Sequence, residues 1–157
     1  GVDISAADAA KDRIKALARS TFNASVLTEI GSFGGMFRAD LSRYREPVLV
    51  ASTDGVGTKL LLARALDRMD GLGQDLVAMS VNDLACTGGR PLGFLDYLAV
   101  GALDPDEAGA LVGSIAAACE AAGERGGRVH VPPMDVGPGT FAVFEPPAFV
   151  MRPVFGK

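Results

Sequence analysis

Between residues 47 and 68 the chain passes from "PVLVAST" through "DGVGT" into "KLLLARALDR", and no other stretch constrains the fold as strongly. The first segment is a short, β-branched apolar run and reads as a buried strand. The last segment reads as a helix over 59–68. A strand that turns into a helix through an acid and two glycines is the building unit of α/β and α+β sheets. Open sheets of this kind place ligands beyond the carboxyl ends of their strands. Asp54 stands at that end.

The rest of the chain continues the alternation. Residues 3–19 predict a helix whose start, Ser5 with Asp8, resembles a capping box. The "GLG" at 71–73 breaks the chain before a helix over 74–88, which Gly88 and Gly89 stop. "PLGFLDYLAV" (91–100) reads as a second strand. Residues 103–123 predict the best-signalled helix, with Asp104 as N-cap, Pro105 at N1, Glu107 closing a capping box and Gly123 at C′. Residues 20–46 show no period, and "GSFGGMF" (31–37) reads as a glycine-rich loop. After Gly123 the composition changes, because six of the nine prolines lie between 132 and 153. Proline cannot donate to a ladder, so these residues read as edge strands or loops. Two strands make no self-standing sheet. The tail, a further domain or a partner chain has to complete it.

Composition excludes some classes of function. A length of 157 residues suits one domain. The net charge of −4 argues against nucleic-acid binding. A phosphate ligand stays open, since one lysine and a few backbone N–H groups can hold it. No apolar run approaches the roughly 20 residues that cross a bilayer, and "GVDISAADAAKDR" is acidic and polar, unlike a signal peptide. Cys86 and Cys119 lack disulfide or metal spacing and read as buried, reduced thiols.

The turn at 52–59 fits neither standard phosphate loop. In "GVGTK" Thr58 precedes Lys59, which is not the Walker order. Leu60 stands where the dinucleotide fingerprint needs its third glycine, and this sinks a dehydrogenase reading. The surrounding acids carry more information. Asn82 and Asp83 fall in the middle of an apolar helix, where they are unfavourable by propensity and costly if buried without partners. Either that turn of the helix faces solvent, or the pair joins Asp54 as ligands of Mg²⁺, which takes hard oxygen donors. Asp75 shares nearly the same face and is read as a partner of the helix dipole. Asp96 interrupts an apolar strand, either facing outward or serving a site. His130, the only histidine, reads as a surface residue, and no Ser-His-Asp or Cys-His arrangement can be assembled.

"REPVLVASTDGVGTKLLLA" (45–63), "GQDLVAMSVNDLACTGGRPLGFLDYLAVG" (73–101) and the opening "GVDI" resemble the phosphoribosylformylglycinamidine cyclo-ligases, the aminoimidazole ribonucleotide synthetases of purine biosynthesis. "GSFGGMF" is similar to that family's glycine loop. The resemblance runs from Gly1 to about Gly123. It implies an α+β, sandwich-like, ATP-binding N-terminal domain over 1–123 whose sheet is completed by dimerisation, followed by a divergent proline-rich tail over 124–157. The activity it implies is ATP-dependent closure of formylglycinamidine ribonucleotide to aminoimidazole ribonucleotide, in a cytoplasmic homodimer without nucleic-acid or membrane partners. ATP and Mg²⁺ are the implied cofactors. By the same resemblance Asp54 and Asp83 hold Mg²⁺, and Lys59 meets phosphate or substrate oxygen, with Asp54 and Lys59 as the catalytic pair. Gly34, Gly35, Thr53, Gly55, Gly57, Thr58 and Asn82 meet the nucleotide. Two departures stand out. The family's C-terminal domain is expected to be absent. Arg128, after Gly126-Gly127, stands where the family has a metal-binding glutamate. These departures support an alternative, a dimerising Mg-ATP-binding module without activity of its own.

Overall fold

The computed structural model describes residues 4–30, 34–42, 44–98, 100, 102–126 and 147–152. Helix α1 spans Ile4–Ser20, strand β1 Val48–Thr53, helix α2 Lys59–Ala65, helix α3 Leu72–Cys86, strand β2 Arg90–Phe94, helix α4 Pro105–Gly126 and strand β3 Pro147–Arg152. Helix and strand are therefore mixed, as expected. The sheet order is β1-β3-β2, with both pairings antiparallel.

The third strand corrects the reading of the tail. β3 is the central strand, and it pairs Pro147 with Thr53 at one end and Arg152 with Val48 at the other. Residues 148–152 are free of proline, and Pro147 opens the strand, where its missing N–H is tolerated. β2 is shorter than expected. Pro91 pairs with Val150 and Gly93 with Phe149, so Leu92 bulges out of this edge strand. Arg128, His130 and the remainder of the tail lie outside the described residues.

Helices α3 and α4 pack on the sheet, and α1 packs on α4. The helices and sheet meet in a core of Leu76, Leu84, Phe94, Leu98 and Ile115, while Val112 of α4 packs with Ala10 and Ile14 of α1 in a second cluster. Gly73 belongs to this packing and does not break the chain. A Cβ there would lie 2.6 Å from the backbone nitrogen of Ile115 and 2.8 Å from the carbonyl of Leu111, so only glycine lets α3 approach α4 this closely. α3 ends as predicted. Gly88 has φ +71°, its N–H donates to Ala85 O, and the N–H of Gly89 donates to Leu84 O, which together form a Schellman motif. At α4 the Asp104 carboxylate accepts from the N–H groups of Asp106 (2.8 Å) and Glu107 (3.1 Å), which is the predicted N-cap. Gly123 does not end the helix, which continues to Gly126. Nor does Ser5 precede α1, since it lies in the first turn.

β1 is not a buried strand. Val50 and Ser52 are half-buried on the face toward the helices, while Leu49 (60% exposed), Ala51 and Thr53 look the other way. The described helices cover one face of the sheet, and on the other face Leu49 is exposed.

Candidate functional site

Side chains alternate along a strand, so Ser52 and Asp54 point to the same face at the carboxyl end of β1. The Ser52 hydroxyl donates to the Asp83 carboxylate on α3 at 3.2 Å. That contact ties β1, two residues before Asp54, to one of the two acids picked out from the sequence. Asp54 Oδ1 accepts the N–H of Gly55 at 2.8 Å, which orients the carboxylate at the start of the turn. Val56 is buried and anchors the turn. Gly57 has φ +60°, a left-handed conformation that strains any residue with a Cβ. At the far end Lys59 Nζ meets Asp75 Oδ2 at 3.1 Å, with Met79 Sδ at 3.9 Å.

The segment 52–59 therefore runs along one side of α3, from Asp83 back to Asp75. Asp83 lies eight residue steps beyond Asp75 on the helix, about 12 Å at the standard rise. Asp75 acts as the counter-ion of Lys59, a role that sequence spacing could not show. The pair is half-exposed, so it contributes at most about 1 kcal/mol. Asn82 and Asp83 are exposed, which explains how a polar pair sits in this helix. Thr53 and Thr58 are exposed beside them, and Thr58 makes no side-chain cap to α2.

Gly34 and Gly35 are exposed on a separate hairpin-like loop closed by the Val26–Phe37 bridge. The Thr28 hydroxyl accepts the Met36 N–H at 2.9 Å and braces that loop. Among the described residues no hydrogen bond joins it to segment 52–59.

One expectation is corrected, and one of the two alternatives for Asp96 falls. Cys86 is exposed, because it lies in the last turn of α3 on the side away from the core; Cys119 is buried as expected. Burial, with lesser contributions from the nearby Asp96 and Glu120 carboxylates, pushes the Cys119 thiol well above its ordinary range. Asp96 does not face outward. It is buried just beyond β2, and neither carboxylate oxygen has a hydrogen-bond partner among the described residues. Removal from water pushes its carboxyl up to about 7, against a smaller opposing pull from the Tyr97 backbone.

Among the described residues no three His, Cys, Asp or Glu side chains converge as a metal cluster. The acids at this end of β1 are Asp54, just past the strand, and Asp83 on α3, which the Ser52 hydroxyl reaches. Two carboxylates, completed by substrate phosphate oxygens, suit Mg²⁺.

Comparison with known proteins identifies the family. The family described as "AIR synthase related protein, N-terminal domain" matches residues 39–143. The phosphoribosylformylglycinamidine cyclo-ligase of Trichlorobacter lovleyi is 55% identical over 123 residues, 78% of this chain and 35% of that protein. The protein of the same name from Aromatoleum aromaticum is 58% identical over an equal length. The chain thus spans about a third of the length of the curated relatives it matches. Among solved structures, thiamine-monophosphate kinase from Stenotrophomonas maltophilia superposes with TM-score 0.66 at 19% identity, over 91% of this chain and 41% of that one. The hydrogenase maturation protein HypE in complex with ATP gives TM-score 0.60 at 19% identity, over 88% and 38%. At these identities the structural likeness shows a shared fold. The sequence likeness shows more: the chain belongs to the AIR synthase related family, as an N-terminal domain of the phosphoribosylformylglycinamidine cyclo-ligase type.

Proposed function

We propose that this chain is the Mg-ATP-binding part of a phosphoribosylformylglycinamidine cyclo-ligase, which closes formylglycinamidine ribonucleotide to aminoimidazole ribonucleotide in purine biosynthesis. The observation that carries this reading is the link from Ser52 to Asp83, two residues from Asp54, within a sequence 55–58% identical to proteins of that name.

In this reading Asp54 and Asp83 hold Mg²⁺, and ATP supplies the phosphoryl group that activates the formyl-amide oxygen before a ring nitrogen attacks and phosphate leaves. The residues of this chain bind and orient. Lys59 exchanges its half-exposed partner Asp75 for a phosphate or substrate oxygen. Gly55 and Gly57 let the backbone of the turn approach the nucleotide, with Thr53, Thr58 and Asn82 around it and the Gly34–Gly35 loop covering it. Such chemistry depends on positioning and charge neutralisation.

The exposed Leu49, with the edge position of β1 among the described strands, supports a homodimer in which two sheets pair. The synthetase-like domain spans 1–123, and the divergent segment 124–157 contributes β3. Among the described residues no helix is long and apolar enough to cross a membrane, in keeping with a cytoplasmic enzyme. A second reading, a dimerising Mg-ATP-binding module, rests on the same residues, which bind and orient a nucleotide.

Phosphate release from ATP, assayed with formylglycinamidine ribonucleotide, separates the two readings. Substrate-dependent release supports the ligase. Magnesium-dependent ATP binding without release supports the module, and neither binding nor release refutes both.

A further inference from the structure

We propose that a second pocket, at the opposite end of the sheet from Asp54, binds a phosphate-class oxyanion between the guanidinium groups of Arg38 and Arg90. The pocket encloses about 130 Å³ and is lined by Asn23, Ser25, Arg38, Asp40, Tyr44 and Arg90, among others. Whole small-molecule sites occupy about 300–1,000 Å³, so this space suits an oxyanion head group and not a nucleotide.

Three observations converge on an anion. First, Asn23 Oδ1 accepts the backbone N–H of Ser25 at 2.8 Å. A backbone N–H can only donate, so the oxygen and nitrogen of this amide cannot be exchanged. Its Nδ2 is thereby left as a buried donor with no acceptor among the described residues. Such a group is costly to leave unsatisfied, and an anion's oxygen would satisfy it.

Second, neither guanidinium has a carboxylate partner among the described residues. Arg13, Arg19, Arg45 and Arg68 are each paired with an acid, and Arg64, which makes no ion pair among the described residues, lines a pocket rich in acids with Asp67 and Asp70. Arg38 and Arg90 instead flank one small cavity. Forked guanidinium donors match a tetrahedral oxyanion. Asp40, the acid among these lining residues, already accepts from the Ser42 N–H (3.1 Å) and hydroxyl (2.6 Å).

Third, the frame is fixed. The Arg38 N–H donates to Ser25 O at 2.7 Å and the Leu27 N–H to Met36 O at 2.9 Å, so the arm that carries Arg38 is tied to the one that carries Asn23. Arg90 is set by the first pairing of β2, opposite Met151, which in turn faces Leu49. From residue 49 to residue 54 is about 16 Å along a strand, so this pocket and the Asp54 region lie at different ends of the sheet.

The test is a titration of the ¹⁵N-labelled 157-residue chain with inorganic phosphate at constant ionic strength, followed on the Asn23 side-chain amide and the Arg Nε–H signals. The expected result is a saturable shift of the Asn23 amide signals. Arg38→Gln with Arg90→Gln should weaken it about tenfold or more, the equivalent of losing one charged hydrogen bond. Lys59→Gln should leave it unchanged, which keeps the result independent of the proposed nucleotide site. Ribose 5-phosphate saturating the same signals at lower concentration than phosphate identifies a phosphorylated metabolite as the ligand. Equal concentrations identify the free ion. Both arginines are exposed, and if the double variant loses its dispersed spectrum, Arg90→Gln alone carries the comparison. The proposal is overturned if phosphate leaves the Asn23 amide unmoved, or if the shift survives unchanged in the arginine variant.

Discussion

Replacing Asp96 with asparagine should make the protein more stable at neutral and alkaline pH, by an amount that grows from about pH 4 to about pH 7 and then levels off. The carboxyl is 6% exposed and neither oxygen is hydrogen-bonded among the described residues, so its charged form is disfavoured by burial. Its pKa rises from 3.8 to about 7 in the folded protein. The unfolded chain releases this proton near 3.8, whereas the folded chain retains it until about 7. Stability from this group is therefore complete below the lower value and falls as pH rises toward the upper one. At 1.36 kcal/mol per pH unit the loss comes to about 4 kcal/mol, a large share of the roughly 5–15 kcal/mol that holds a domain folded. Asparagine carries no charge at any of these pH values. The gain of Asp96→Asn over wild type should thus be about 4 kcal/mol larger at pH 8 than at pH 4. Urea unfolding of both proteins at half-unit steps across that range measures the difference. Two parallel stability curves would refute the reasoning, because they would mean that Asp96 is solvated or paired in solution.

Gly73→Ala should destabilise the protein by about 1–3 kcal/mol, since the new methyl meets backbone atoms of α4 that cannot rotate away; a chemical-denaturation midpoint reads this directly. Asp83→Asn should weaken magnesium-dependent ATP binding and cost no more than about 1 kcal/mol of stability, because the residue is exposed and loses one hydrogen bond to Ser52; a larger loss would make it structural. A thiol reagent should label Cys86 in the native protein and Cys119 only after unfolding, which mass analysis of the labelled peptides would show.

The local signals in the sequence located most of the elements. Asp104 and the Gly88-Gly89 pair fix their helix ends through hydrogen bonds within a few residues, so they can be read one window at a time. β3 could not be read that way. Its position between β1 and β2 depends on partners about a hundred and about sixty residues away, and the flanking prolines conceal its five proline-free residues. Gly73 has a related explanation: as a residue it signals a break, and only the approach of α4 shows why it sits in a helix. At the candidate site, Asp54 and Asp83 were legible because acids are conspicuous at a strand end and in an apolar helix. Ser52, which meets Asp83, and Asp75, which holds Lys59, were not. A hydroxyl in a strand and an acid in a first helical turn have common local roles, and nothing in their spacing reveals a contact across elements. Asp96 stands between these cases. Its oddity in an apolar run was visible, but its inward orientation came only from the packing around Leu98 and α4.

The central claim is that the turn after β1, with Asp54 and Asp83, forms a magnesium-dependent nucleotide site. Calorimetric titration of the chain with ATP, with and without Mg²⁺, tests it most directly. Saturable binding that requires Mg²⁺ and weakens in Asp83→Asn is the predicted result. Absence of binding, or binding indifferent to both the metal and Asp83, would contradict it.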